Sequence, residues 1–484
     1  MTFAAFQPSM LLVILPEILL LLLAGVVLVL DAVWRPSQRS RLGWVSGIGI
    51  GIILLISLYY GRPGNDAQLI FGGTLRHDWT AYVFKILFLF AAAMTSLLSI
   101  GFKGIGDRGE YYALIMVSTI GMSLMAAASD LVMLYLAIES TSIPLYILAG
   151  FLRRTDASTE AGLKYFLFGA LTSTVMLYGF SLLYGLTGQT NIYRLAGQLV
   201  EGQISLGMLI AVAALILVGF GFKVAAVPFH FWTPDVYQGA PTPITAFIST
   251  ASKAAGFAVL LRFMLAVFPG VEAHWTAIIS ALSVGTMTLG NLLALAQSDI
   301  KRMLAYSSIA HAGYALIGLV AVSTLGAASV LFYLMAYVVT NLAAFGVVVL
   351  FAQSAGSDEI QAYAGLSRRA PGLAIALMVA LLSLAGMPPL AGFVAKVYVF
   401  AAAVQSGLIW LAVAGILNSI IGLYYYMTVL KVVYLYRSDD EDKPIAVPRG
   451  AGLALVACSL AIIVIGTLSA PWLDWALTSA RSLF

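Results

Sequence analysis

Polar residues fall along this chain in short clusters separated by long apolar runs, and the runs set the architecture. About twenty apolar residues in helical form cross the hydrocarbon core of a bilayer. On that ruler the sequence predicts fourteen spans, near 10–33, 43–60, 79–100, 112–129, 131–151, 161–187, 206–239, 243–268, 274–296, 300–320, 325–352, 372–406, 408–436 and 451–471. Thirteen or fifteen are the alternatives if the long runs divide differently. The expected fold is an all-α membrane protein, one polytopic domain over 1–484. Within it lie an N-terminal three-helix segment (10–100), two five-helix units (112–268 and 274–436) and a last helix (451–471). The first run has no Lys or Arg before it and Arg35, Arg39 and Arg41 after it. That is the reverse of a cleavable signal, so the run reads as a retained span.

Two runs are too long for one crossing. Those at 206–239 and 372–406 hold 34 and 35 residues, roughly 50 Å as continuous helix against a core of about 30 Å. Each carries its own interruption: Val227-Pro-Phe-His-Phe-Trp-Thr-Pro-Asp235 in the first, Gly386-Met-Pro-Pro-Leu-Ala-Gly392 in the second. Proline lacks the backbone donor and clashes with the preceding turn. A simple proline kink is one reading; a discontinuous helix lining a polar site is the other. The two runs are the seventh and twelfth, five apart, so they cross in opposite senses. Interrupted helices at matching places in two inverted units point to a transport site. The expectation is therefore two inverted five-helix repeats, spans four to eight and nine to thirteen.

Charge tests the topology. With the N-terminus outside, the inner loops hold Arg35, Arg39, Arg41, Lys103, Arg108, Arg153, Arg154, Lys301, Arg302, Arg368, Arg369, Arg437, Lys443 and Arg449, whereas the outer ones hold only Arg62, Arg76, Arg194 and Arg481. Fourteen against four obeys the positive-inside rule. Both termini are expected on the periplasmic side of a bacterial plasma (inner) membrane. Hydrophobic residues make up 61% of the 484 positions, charged residues 10%, and the mean hydropathy is +0.99. Such a composition suits a membrane protein in contact with lipid. A net charge of +4 gives a nucleic-acid role no support. The single cysteine, Cys458, excludes a disulfide framework or a Cys-rich cluster, and the four histidines show no paired spacing for haem or zinc. Neither a dinucleotide fingerprint nor a phosphate loop is found. No redox cofactor or metal is expected in this chain.

Against that background the ionisable residues inside the spans stand out, because each costs a few kcal/mol at the bilayer centre. Lys85, Lys164, Arg262 and Lys431 lie within about two turns of a span end, and read first as snorkelling side chains. Glu139, nine residues into the fifth span, is too short to snorkel. Lys223 precedes the first break, Lys253 lies centrally in the eighth span, and Lys396 follows the second break. His311 sits midway along the tenth span, either as a relay member or as a hydrogen-bonded core histidine. His230 and Asp235, beside the first break, read equally as an opening to the inner face or as loop caps. Burial and neighbouring charges tune such groups for proton storage and release, and a Glu139–Lys223 pair would act as a switch. Tyr, Ser, Thr and water would bridge the gaps.

Lys223-Val-Ala-Ala-Val-Pro-Phe-His-Phe-Trp-Thr-Pro-Asp-Val-Tyr-Gln-Gly-Ala-Pro-Thr-Pro243, followed by Ser249-Thr-Ala-Ser-Lys253, closely resembles the antiporter-like membrane subunits of respiratory complex I. Ser298-Asp-Ile-Lys-Arg-Met-Leu-Ala-Tyr-Ser-Ser308 and Gly386-Met-Pro-Pro-Leu-Ala-Gly-Phe393 belong to the same pattern. Tyr237-Gln238-Gly239, the early Leu15-Pro16-Glu17 and the lysine at 396 are similar to the N-type members. The resemblance implies a proton-translocating subunit of an NADH:quinone oxidoreductase, a translocase in which this chain does no redox chemistry. It carries the functional roles to Glu139, Lys223, Lys253 and Lys396; His311 and His230, read from their places in the spans alone, are the weaker candidates for the same relay. It also implies that NADH, FMN, iron–sulfur clusters and quinone are bound by partner subunits. An antiporter-like neighbour and small core membrane subunits would flank this one, with the peripheral redox arm reached indirectly. A subunit of a multi-subunit Na⁺/H⁺ antiporter, or of a membrane-bound hydrogenase complex, shares this scaffold and is the alternative; a pure scaffold would leave the buried charges dispensable.

Overall fold

A computed structural model describes residues 9–64, 67–201, 204–268, 271–438 and 443–484. Residues 1–8, and with them the N-terminal end expected on the outer side, lie outside the described residues. The described chain is helical nearly throughout, and its one sheet is a hairpin of Gln68–Ile70 against Leu75–His77. Among the described residues thirteen helices are long and apolar enough to cross a membrane, and a pair of shorter apolar helices supplies one crossing more. In chain order the spans are Leu15–Val33, Leu42–Tyr60, Trp79–Leu98, Gly109–Ala127, Leu131–Ala149, Asp156–Thr187, Leu206–Val224, Thr242–Val267, Glu272–Leu295, Ile300–Val320, Thr324–Ala355, the pair Pro371–Ala385 and Ala391–Gln405, Ile409–Leu435 and Arg449–Thr467. These match the fourteen apolar runs one for one.

The ends show what the twenty-residue ruler misses. The first span starts at Leu15 rather than 10, because Pro16 suits the first turn of a helix and not its interior; a separate short helix, Ser9–Val13, precedes it. Two amphipathic helices, Ile192–Glu201 and Ser469–Arg481, are too short and polar to register as runs. Helix starts follow their side-chain caps: Asp78, Asp130, Ser205, Asp299 and Ser323 each accept a bond from a first-turn N–H.

Both long runs are broken, as the prolines predict. The seventh ends at Val224 and resumes as Trp232–Gly239; the twelfth ends at Ala385 and resumes at Ala391. The first helix of each pair closes on a left-handed residue, Ala225 (φ 60°) and Gly386 (φ 88°). The following N–H returns to a carbonyl a turn and a half back, Ala226 to Gly221 at 2.8 Å and Met387 to Leu382 at 3.0 Å. This closure satisfies two carbonyls and leaves the rest of the last turn available.

The eighth and eleventh spans are buried on every side and the tenth nearly so, whereas the first, sixth and thirteenth expose apolar faces. Apolar all round, the central helices form the core. Two surfaces gather the loops. On one, called here the cationic face, Asp235, Gln238, Asp299, Arg302 and Asp358 come together. On the other, the hairpin meets Ser129 and Asn191, Arg76 reaches Ser482, and Thr80 reaches Ser479. That grouping agrees with strict alternation of the spans.

Candidate functional site

Two of the four residues read as snorkelling are not. Lys85 is 7% exposed and pairs with Glu17 at 2.8 Å while donating to the Val13 carbonyl at 2.9 Å. Arg262, 2% exposed, makes a two-pronged pair with Asp78 at 2.7 and 2.8 Å, joined by the Tyr193 hydroxyl. A matched carboxylate removes the need to reach the headgroups. Lys164 and Lys431 are exposed enough for the original reading.

The first break places Lys223 in the last turn of its half-helix, fully within the bundle. Its ammonium donates to the Ser142 hydroxyl, and Ser142 in turn donates to the Ile138 carbonyl at 2.5 Å. Glu139, one turn before Ser142 on the fifth span, is half-buried and accepts from Ser173 of the sixth. Thus the expected Glu139–Lys223 pair is not closed: Lys223 rests on Ser142 of the fifth span and Glu139 on Ser173 of the sixth, with Glu139 and Ser142 on adjacent turns of one helix. Gly256 makes room for this arrangement, since a Cβ there would lie 3.1 Å from that of Lys223. The eighth span therefore passes directly against the lysine backbone, with Lys253 one turn away.

Lys253 is 2% exposed and follows a π-turn, Ile248–Ser252, that shifts the register of the eighth span just ahead of it. π-turns of this kind recur at functional sites. Its ammonium donates to the Ser308 carbonyl at 2.6 Å and hydroxyl at 2.5 Å. Tyr337 also donates to that hydroxyl, at 2.8 Å, and Asn341 links Tyr337 to Ser249 at 3.0 and 2.9 Å. One turn beyond Ser308, His311 stands between Tyr333 (Nδ1, 2.6 Å) and Tyr426 (Nε2, 3.2 Å), and Tyr426 meets Ser307. Which ring nitrogen carries the proton depends on the tautomer.

Lys396 completes the file. Its ammonium donates to the Leu384 and Ala385 carbonyls at 3.0 and 2.9 Å and to Ser419 at 2.6 Å, and lies 5.1 Å from the centre of the Tyr314 ring. The carbonyls are the open ones of the first half of the broken twelfth span. The negative end of that helix thus faces the cation. A cavity of about 10 Å³ lies among His311, Tyr333, Tyr337, Ser383 and Gly392, between His311 and the second break. That is room for about one water molecule.

The structure thus holds Lys253 on Ser308, His311 one turn further along that helix between Tyr333 and Tyr426, and Lys396 on Ser419, while Gly256 brings Lys223 against the turn that follows Lys253 and Glu139 stands one turn from the serine of Lys223. His230 is buried, but its Nδ1 has no hydrogen-bond partner among the described residues. Asp235 is held on the cationic face by Lys164 (2.5 Å) and Arg302 (2.9 Å), away from His230's ring in bonding terms. Sequence reasoning expected Tyr, Ser and Thr as bridges but did not assign that role to Ser142, Ser308, Ser419 or any particular tyrosine. One signal was available: Tyr333, Tyr337 and Asn341 recur every four residues and so line one face of the eleventh helix.

Fold and site together define a polytopic helical membrane protein with two interrupted spans and a buried file of titratable groups. The family profile described as "NADH:quinone oxidoreductase/Mrp antiporter, TM" matches residues 128–422, and the chain belongs to that family. It is 44% identical over 477 residues to the NADH-quinone oxidoreductase subunit N of Trichlorobacter lovleyi, covering 97% of each chain. It is also 44% identical over 450 residues to the subunit of that name in Moorella thermoacetica, covering 93% of this chain and 94% of the other. Among solved structures, a chain of respiratory complex I from Thermus thermophilus with bound aureothin superposes with a TM-score of 0.79 at 35% identity, over 95% of this chain and 98% of that one. A chain of the Mrp complex from a Dietzia species shares the fold, with a TM-score of 0.87 at 21% identity over 98% and 97%.

Proposed function

We propose that this chain is a proton-translocating membrane subunit of an NADH:quinone oxidoreductase. The observation that carries the reading is the file from Lys253 through Ser308, Tyr337 and His311 towards Lys396. It runs through the driest part of the bundle, where single charges are costly and a linked set is useful. Each station has a hydroxyl or imidazole neighbour that can take or pass a proton. At the first break, release of Glu139 from Ser173 towards Lys223 would hold the lysine protonated, and its return would free that proton. Glu139, Lys223, Lys253 and Lys396 are the relay residues, with His311 joining them and His230 a peripheral candidate.

Spans four to eight and nine to thirteen act as inverted units. The two breaks five spans apart support this, as does their shared closure at Ala225 and Gly386. NADH, FMN, iron–sulfur clusters and quinone belong to partner subunits, and this chain binds none of them. Its neighbours are an antiporter-like subunit and small core membrane subunits, and the redox arm acts on it from a distance. The cationic face is cytoplasmic and both termini are periplasmic, in the inner membrane of a bacterium, as fourteen cationic loop residues against four would orient it.

The test uses membrane vesicles containing the whole complex with Lys396→Ala. NADH-driven proton pumping is expected to fall by about a hundredfold, the scale of a lost proton-transfer group. Unchanged pumping and quinone reduction would overturn the relay. Loss of a sodium-gradient activity with normal NADH oxidation would instead favour an antiporter of the Mrp kind, whose fold this chain shares.

A further inference from the structure

The relay described above needs a way in from the cationic face, and the carboxylates there differ sharply in what they hold. Asp235 has both oxygens occupied, by Lys164 and Arg302. Asp299 caps the tenth span at Arg302 and accepts from Gln238 at 3.0 Å. Asp358 is different. Its side chain is 30% exposed, its Oδ2 lies 3.7 Å from the Lys301 ammonium, and its Oδ1 is buried without a hydrogen-bond partner among the described residues. Tyr363, fully buried nearby, also has a hydroxyl with no partner among them. Unsatisfied buried polar atoms are costly to keep. Two of them, beside a loose and partly wet ion pair, mark a place that serves more than packing.

Lys301 leads inward from that place. It is 5% exposed, and its ammonium also donates to the Ala240 carbonyl at 3.2 Å. Seven residues along the same helix stands Ser308, the acceptor of Lys253. Seven residues are two turns, about 10 Å, on one face. Tyr237 spans the interval: its hydroxyl is 3.4 Å from Ser308, and its short helix is capped by Ala240, against Lys301. Burial pushes the Asp358 carboxyl above the usual carboxylate range; Lys301 draws it back only in part, and Asp299 opposes that pull. Lys301, Asp299 and Tyr363 are the titratable groups that act on it, with the Arg302 guanidinium next along the helix from Lys301.

We propose that Asp358 and Lys301 form the proton entrance from the cationic face, Asp358 collecting protons from water and Lys301 handing them inward past Tyr237 to Ser308 and Lys253. This rests on the relay reading above. In the first step a solvent proton bonds to a carboxylate oxygen of Asp358 and the contact with Lys301 loosens. In the second, when Lys253 is in its neutral form, Lys301 gives an N–H proton towards the Tyr237 hydroxyl, whose own proton passes to Ser308 as the Ser308 proton passes to Lys253, and Lys301 takes the carboxyl proton in its place. No group is oxidised or reduced.

The experiment measures NADH-driven pumping by the whole complex in vesicles, with the pH on the cationic side stepped from acid to alkaline. Asp358→Asn is expected to pump nearly as wild type at acid pH and at least about tenfold slower at alkaline pH, where free protons are scarce and a collecting carboxylate matters most. Asp358→Glu is expected to restore the profile. A wild-type profile in Asp358→Asn would overturn the entrance. If Asp358→Asn does not assemble, Lys301→Arg decides: it keeps the charge and the contact, but a guanidinium does not give up its proton. It is expected to slow pumping at every pH, and wild-type pumping would overturn the proposal. Loss of pumping in Lys396→Ala alongside a wild-type Asp358→Asn defeats the entrance and leaves the relay. Wild-type pumping in Lys396→Ala defeats the relay itself.

Discussion

The two broken helices each set a lysine beside a left-handed turn, but they hold it by different means. Lys396 lies beyond its break and reaches back to two carbonyls at the open end of the preceding half-helix, with Ser419 as a third acceptor. Those carbonyls belong to the backbone and stay where they are. Lys223 lies before its break, and its ammonium has one hydroxyl, Ser142, with the Glu139 carboxylate a turn away on the same helix. The first lysine sits in a fixed field and the second in one that a side-chain rotation can change. A fixed cage suits a group that keeps its charge until another part of the path acts on it. A movable carboxylate suits a group whose charge is itself the signal.

That contrast can be broken at its movable side first. Glu139→Gln removes the changeable charge and leaves the second break untouched. Pumping by the whole complex is expected to fall about tenfold, roughly 1.4 kcal/mol in barrier, while assembly, measured by the amount of complex extracted from the membrane, is unchanged. Wild-type pumping would show that Lys223 does not depend on the carboxylate. Gly386→Ala probes the fixed side. Its φ of 88° is strained for any L side chain, and the new Cβ would lie 3.0 Å from the Lys396 Cδ. A loss of about 1–2 kcal/mol in stability is expected, read as a lower unfolding temperature of the extracted complex. The smallest effects sharpen the comparison most. Ser142→Ala takes from Lys223 its one hydroxyl partner among the described residues and is expected to slow pumping several-fold, about 1 kcal/mol for one hydrogen bond. Ser419→Ala leaves Lys396 its two carbonyls and is expected to stay within about twofold of wild type. Equal losses from the two serine variants would erase the distinction between the breaks.

Much of this was legible beforehand because lipid imposes a coarse code. Twenty-residue apolar runs and cations gathered in every second loop have a direct meaning in a bilayer, and prolines inside two over-long runs mark a kink or a break; the fold has the fourteen crossings and, at both places, the break. The lysines at 223, 253 and 396 were visible for the same reason, as charges out of place. What the chain hid was pairing over distance. Lys85 and Arg262 read as snorkelling because Glu17 and Asp78 stand 68 and 184 residues away, and no local pattern joins them. The serines and tyrosines that carry the file are common inside helical bundles, so they acquire meaning only from the neighbours they meet. Asp358 lies in a loop, beyond the reach of any argument from improbable depth.

The fastening at the hairpin face has a consequence in time. Thr80 meets Ser479 at 2.7 Å and Arg76 meets Ser482 at 3.0 Å, contacts between positions 399 and 406 residues apart. At about 5–20 residues per second, the ribosome delivers the second partner roughly 20–80 seconds after the first has entered the membrane. Through that interval the start of the third span lacks its final cover, and the last helix, once inserted, closes over ground laid down near the beginning of synthesis. A nascent chain halted before residue 479 would therefore leave the start of the third span, at Trp79 and Thr80, without its partner on the face opposite the cationic loops, and arrival of the last helix would supply it.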